Sequence, residues 1–157
     1  MAMGVAVAAC ALAQPYRIGQ QLPELPGGVA GGKPAVVLFV SAKCPVSNTY
    51  NQRMIELYKA YSAKVNFVFL NANQNEPAAE VETHARRAGF PFPVGKDKSN
   101  VWADRLGAEL TPQVFLIDAS GALRYRGRID DAQNPARVKH ESLKLAVEAV
   151  IEGKGVE

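Results

Sequence analysis

At 157 residues, 48% of them apolar, the chain has interior enough for one domain that folds without disulfide staples. Its formal net charge of +3 comes from Lys and Arg scattered among acidic residues, which excludes a phosphate-tracking basic stripe and with it a nucleic-acid partner. Two cysteines far apart, Cys10 and Cys44, exclude a zinc knuckle or a disulfide framework, although spacing alone leaves a Cys10–Cys44 bridge open.

Residues 1–13 are mostly Ala, Val, Met and Leu, and Ala11-Leu12-Ala13 before Gln14 has the small-x-small pattern of a signal-peptidase site. Val7-Ala8-Ala9-Cys10 competes with it as a lipoprotein box. Both patterns predict export, to a bacterial periplasm or to a lipid-anchored position in the envelope. A membrane partner is expected only through a lipidated Cys10, because the apolar run is too short to span a bilayer. No Lys or Arg precedes Cys10, so the basic segment that both patterns ask for is missing; export is still the expectation, and the alternative is a cytoplasmic chain with a plain tail. Residues 14–33, rich in Pro and Gly, predict an extended lead-in over the surface of a domain that occupies 34–157.

Residues 35–40 form a continuous, largely β-branched apolar run, the pattern of a strand covered on both faces. Pro45 then suits a first helical turn, and Met54, Leu57, Tyr58 and Tyr61 recur at the spacing of one apolar helix face. A second buried strand is predicted over 65–70, a helix over 77–88 that Gly89 stops, and a short helix over 100–106. Leu110-Thr111-Pro112 leads into a strand over 114–117. Ala119-Ser120-Gly121 turns it into an antiparallel partner over 122–128. Asn134-Pro135 is expected to cap a last helix carrying Leu143, Val147, Val150 and Ile151. There is no internal repeat and no second domain.

The chemistry concentrates on Cys44, where the first strand gives way to the first helix. A free thiol with pKa about 8.5 is only a few per cent ionised at neutral pH. A helix N-terminus offers roughly 0.3–2 kcal/mol to an anion, and about 1.4 kcal/mol corresponds to one pKa unit, so position alone brings the thiol to about 7. Lys43 adds a neighbouring cation, and the Ser47 hydroxyl one turn along is a candidate donor to the thiolate.

The order β-α-β-α-β-β-α, with Cys44-Pro45-Val46-Ser47-Asn48-Thr49-Tyr50, Thr111-Pro112-Gln113-Val114-Phe115-Leu116 and Tyr125-Arg126-Gly127-Arg128-Ile129-Asp130-Asp131, resembles the redoxin branch of the thioredoxin-like superfamily. That branch groups thioredoxin-like oxidoreductases with alkyl hydroperoxide reductase and thiol-specific antioxidant proteins. The resemblance implies a three-layer α/β/α sandwich with a mixed central sheet. It also implies a cis Pro112 facing the sulfur, with Thr111 presenting backbone groups to a thiol-bearing peptide; the alternative is an ordinary trans proline at a strand start. The sequence departs from the usual Cys-x-x-Cys at Ser47, whose hydroxyl cannot form an internal disulfide, so the dithiol cycle is closed to this pair alone.

Three functions follow. The first is a monothiol oxidoreductase in which Cys44 is the nucleophile, Pro45 starts the helix, Ser47 tunes the thiolate, and Lys43, Thr111 and Pro112 frame the substrate. Its partner is a thiol or disulfide protein or a small-molecule thiol. The second is a one-cysteine peroxidase acting on peroxide. The resemblance implies for it a Pro-x-x-x-Thr/Ser-x-x-Cys motif, of which Ser41 stands in place but Val37 replaces the proline, and an arginine, for which Arg126 and Arg128 are the candidates. The third is a redox-inert binding or scaffold domain. None implies a dissociable cofactor or a metal: His84 and His140 read as surface residues, Trp102 as core, and Asp130-Asp131 as the turn into the last helix. The sequence sets no oligomeric state.

Overall fold

The computed structural model describes residues 14–29 and 31–156. The leader patterns at 1–13, including Cys10, lie outside the described residues. Five strands form one mixed sheet in the order β3-β2-β1-β4-β5. Parallel pairing joins β1 (Ala35–Phe39) to β2 (Asn66–Asn71) and β2 to β3 (Val94–Lys96). Antiparallel pairing joins β1 to β4 (Gln113–Ile117) and β4 to β5 (Leu123–Gly127).

Both β1 and β4 are buried along their full length, which is why they read as unbroken apolar runs instead of alternating ones. Their side chains still alternate between two cores. Val36, Leu38, Val114 and Leu116 face α2 (Asn51–Tyr61) and α5 (Ser142–Ile151), where Met54, Leu143 and Val147 meet them. Val37, Phe39, Phe115 and Ile117 face the other way, against Ala103 and Leu106 of α4 (Val101–Leu106). Each such side chain withdrawn from water is worth about 1.5–3 kcal/mol, so the two central strands hold the sandwich together. The remaining helix, α3 (Ala78–Arg87), follows β2 and precedes β3.

Four expectations need correction. The helix that begins at Pro45 is only five residues long, α1 (Pro45–Thr49), and it pivots at Tyr50 before α2. The lead-in is not purely superficial: Leu22 is buried in the second core, with Tyr16, Leu25 and Val29 packed against it. A short edge strand, β3, occupies a stretch for which the sequence predicts no element; the flanking Pro91 and Pro93 hide it because proline cannot donate to a ladder. Asn134 caps only a 3-10 turn, Pro135–Arg137, its side chain accepting from Ala136 N–H, and α5 starts later, at Ser142. Trp102 is half-buried against the second core. No helix among the described residues is long and apolar enough to cross a membrane.

Candidate active site

The chain leaves β1 at Phe39, and Val40 N–H still bonds to the Leu70 carbonyl at 2.9 Å, so β1 and β2 end side by side. Parallel neighbours release their following loops on the same edge of a sheet, the place where α/β folds build sites. The turn 41–44 climbs from that edge into α1. Cys44 is its N-cap, with extended backbone, and Pro45 fills the first helical position, where a missing N–H costs nothing.

Cys44 Sγ is partly exposed and accepts the Ser47 backbone N–H at 3.5 Å. When protonated it donates toward the Thr111 carbonyl, 3.7 Å away. Burial pushes the thiol up most strongly, but the Ser47 N–H, the Thr111 side chain and the Val46 N–H together outweigh it. A weaker upward push from Glu76 leaves the net shift downward. With a helix of five residues, individual amides do the work that a long helix dipole was expected to do. The Thr111–Pro112 peptide bond is cis, and Pro112 is buried.

Two expected tuning groups act differently. Ser47 is buried and its hydroxyl accepts from Ser41 N–H at 3.2 Å, so the residue serves the sulfur through its backbone. Lys43 swings away: its Nζ donates to the Asn75 carbonyl at 2.9 Å and pairs with Glu80 at 3.2 Å, both on exposed ground. The arginines expected for peroxide are also engaged elsewhere. Arg126 bonds to the Tyr16 carbonyl and lies over the Phe115 ring, while Arg128 Nε donates to Ser142 Oγ at 3.3 Å. Among the described residues neither is hydrogen-bonded to the 41–47 segment.

Beneath the turn lies a residue the sequence reading passed over. Glu76 is 2% exposed, and its carboxylate accepts from Ser41 Oγ at 2.6 Å, Ala42 N–H at 2.8 Å and Lys43 N–H at 3.2 Å. Asn71 Nδ2 at 2.5 Å and Asn73 Nδ2 at 3.1 Å complete the cage. A buried carboxylate is costly unless its lone pairs are filled, and here five donors fill them. Burial pushes its carboxyl up, but the Ser41 hydroxyl, Ala42 N–H, Asn71 amide and Lys43 N–H bring it down to about 2. Lys96 Nζ ties the same segment from below, bonding Asn71 Oδ1 at 2.6 Å, the Asn73 carbonyl at 2.6 Å and the Glu76 carbonyl at 2.8 Å.

The one proton of the Ser41 hydroxyl is therefore committed. The hydroxyl donates to Glu76 and accepts Cys44 N–H at 3.0 Å. His84, expected on the surface, is half-buried and donates from Nε2 to Asn48 Oδ1 at 2.7 Å, while Asn48 Nδ2 holds the Ala42 carbonyl at 3.0 Å. The readable signal for this cage was the polar run Asn71-Ala72-Asn73-Gln74-Asn75-Glu76 directly after a buried strand parallel to β1. Among the described residues no group of three or more His, Cys, Asp or Glu is arranged to hold a metal ion, and Cys44 is a free thiol.

The sequence profile of the AhpC/TSA family matches residues 21–126, a span that takes in the Cys44 turn, the Glu76 cage and Thr111–Pro112. The chain belongs to the AhpC/TSA family. Among curated relatives, this AhpC/TSA member is 31% identical over 93 residues to the thiol-disulfide oxidoreductase ResA of Geobacillus thermodenitrificans. That match takes in 59% of this chain and 53% of ResA, so the chain spans about half the length of that relative. An uncharacterized conserved protein from Geobacillus kaustophilus superposes with a TM-score of 0.78 at 26% identity, over 90% of this chain and 86% of its own. A putative thiol:disulfide interchange protein DsbE from Chlorobium tepidum shares the fold, with a TM-score of 0.69 at 19% identity, over 86% of this chain and 98% of its own. The sheet order, the flanking helices and these likenesses make the fold a thioredoxin-like α/β/α sandwich.

Proposed function

We propose that this AhpC/TSA member is a monothiol oxidoreductase that exchanges Cys44 with external thiols and disulfides. The deciding observation is the setting of the sulfur: partly exposed, held by the Ser47 N–H at 3.5 Å and faced by the Thr111 carbonyl at 3.7 Å. A thiolate there attacks one sulfur of a disulfide, forms a Cys44–S–S–R bond and expels the second sulfur as a thiolate. An outside thiolate then attacks the mixed disulfide, releases Cys44 and carries away the R–S group as a new disulfide. Ser47 in the second-cysteine position leaves that last step to the outside thiol. Substrates are disulfide-bearing proteins or small disulfides, in keeping with the ResA relative.

The peroxidase alternative has less support. The Ser41 proton, the donor it would use, is taken by Glu76, and both candidate arginines are engaged elsewhere. An aromatic disulfide that releases a coloured thiolate tests the proposal. In a Cys10→Ser background the protein is expected to release one equivalent and to carry a mixed disulfide at Cys44 by mass, reversed by added thiol, while Cys10→Ser/Cys44→Ser gives neither. Iodoacetamide should alkylate Cys44 with an apparent pKa below that of free cysteine. A thiol that reacts no faster than denatured protein would overturn the assignment and return the chain to the scaffold reading.

A further inference from the structure

Disulfides and peroxides make different demands on a thiolate site. When a thiolate attacks a disulfide, the S–S bond breaks and the leaving sulfur, with pKa about 8.5, departs as an anion without help. When it attacks a peroxide, the O–O bond breaks, sulfur is oxidised to sulfenic acid and the peroxide is reduced. The departing oxygen anion, with a conjugate acid near pKa 15.7 for water, must be given a proton or a strong hydrogen bond. The peroxidase motif that the sequence resembles in part assigns such a donor to a hydroxyl three residues before the cysteine, and Ser41 holds that position. Its one proton is the deciding quantity.

We propose that Glu76 is the positioning residue that fixes the substrate class of Cys44, keeping the site on disulfides by holding the Ser41 proton. The Ser41 hydroxyl donates to Glu76 Oε1 at 2.6 Å, the short distance of a charge-assisted bond, and one of its two lone pairs is used by Cys44 N–H at 3.0 Å. The carboxylate cannot swing aside to release it. Ala42 N–H, Lys43 N–H, Asn71 and Asn73 hold it from the other directions, and Glu76 is sealed from solvent. Its carboxyl, held at about 2, stays an acceptor throughout the physiological range. The inference rests on thiol-disulfide exchange at Cys44 and adds the reason that a peroxide is refused.

Replacing Glu76 with Gln removes the charge and swaps one acceptor oxygen for a donor NH2. Whichever way the amide turns, a donor faces a donor, and Ser41 is no longer held by an anion. The measurement is the ratio of two second-order rate constants at Cys44, for hydrogen peroxide and for an aromatic disulfide. Because both reactions use the same thiolate, the ratio cancels changes in its ionised fraction, and the Ser41→Ala arm separates a change in access from a change in proton donation. Glu76→Gln is expected to raise the peroxide-to-disulfide ratio by about tenfold or more, the scale of a positioned proton donor. The rise should vanish in Glu76→Gln/Ser41→Ala.

A ratio unchanged in Glu76→Gln, or a rise that survives loss of the Ser41 hydroxyl, overturns the proposal. If Glu76→Gln fails to fold, Ser41→Ala alone decides. With the proton already committed to Glu76, its loss lowers both rate constants in proportion and leaves the ratio unchanged, whereas a selective fall in the peroxide rate constant overturns the role of Glu76. A wild-type thiol inert to both reagents would instead sink the parent assignment, so the two failures are distinguishable.

Discussion

Glu76 has a second, purely thermodynamic signature. Its folded pKa of about 2 lies below the ordinary value of 4.5, so the unfolded chain binds the proton more tightly. The associated stability is fully present above 4.5 and drains away as pH falls toward 2. At about 1.4 kcal/mol per pH unit, that interval carries on the order of 3 kcal/mol. Urea unfolding of wild type and Glu76→Gln across this range should show the wild-type advantage shrinking by about that amount, with the two curves converging at the acid end. A gap independent of pH would mean that the carboxylate is not held as an anion by the turn. Ser41 reads as a free hydroxyl in the sequence because spacing shows which residues can meet, but not which acceptor claims a proton first; in the fold that acceptor is Glu76, while the Ser47 hydroxyl accepts from Ser41 N–H.

Strand β5 carries a comparable constraint in its backbone. Gly127 lies opposite Val114, and a Cβ added there would come within 2.6 Å of Tyr125 Oη and 2.8 Å of Tyr125 Cζ. The Tyr125 hydroxyl also donates to the Arg128 carbonyl at 2.7 Å, so the ring has a bonded reason to stay. Gly127→Ala is expected to cost about 1–3 kcal/mol, by overpacking and a lost hydrogen bond, while Gly155→Ala, with open space around it, costs far less. Equal melting temperatures for the two variants would show that the tyrosine moves freely. The elements themselves were largely legible in the sequence. Strands β1, β2 and β4 announce themselves as apolar runs, and α3 by its Gly89 stop, because burial and capping are local signals. The break at Tyr50 and the strand β3 were not legible: at the first, the Tyr50 ring lies under Arg53, whose partner Asp130 is 77 residues away in sequence, and the second depends on a parallel neighbour more than 20 residues away.

At the scale of the whole molecule, Arg53 of α2 is the tie between the reactive end of the sandwich and the loop that leads into α5. Its guanidinium pairs with Asp130 at 2.6 Å and donates to the carbonyls of Ala132 at 2.7 Å, Gln133 at 2.6 Å and Thr49 at 3.3 Å, and it lies 3.8 Å over the Tyr50 ring. Asp130 read from sequence as a turn residue, but it is 4% exposed, so this is a buried ion pair that joins three segments. Removing one partner strands the other charge without solvent. Arg53→Met should therefore cost about 3–5 kcal/mol, and Arg53→Lys should recover little of it, because one ammonium nitrogen cannot occupy both places that the two terminal nitrogens of the planar guanidinium fill, one beside Asp130 and Ala132 and the other beside Thr49 and Gln133. The surface pair Lys43–Glu80 supplies the contrast: with side chains 50% and 42% exposed, its loss in Lys43→Met should cost less than about 1 kcal/mol. Urea midpoints for the three variants check the ranking. The double variant Arg53→Met/Asp130→Asn should lose less than the sum of its single losses, since the second substitution removes the charge that the first leaves unpaired. Additive losses would mean that Arg53 acts through its carbonyl contacts alone and that Asp130 is solvated by other groups.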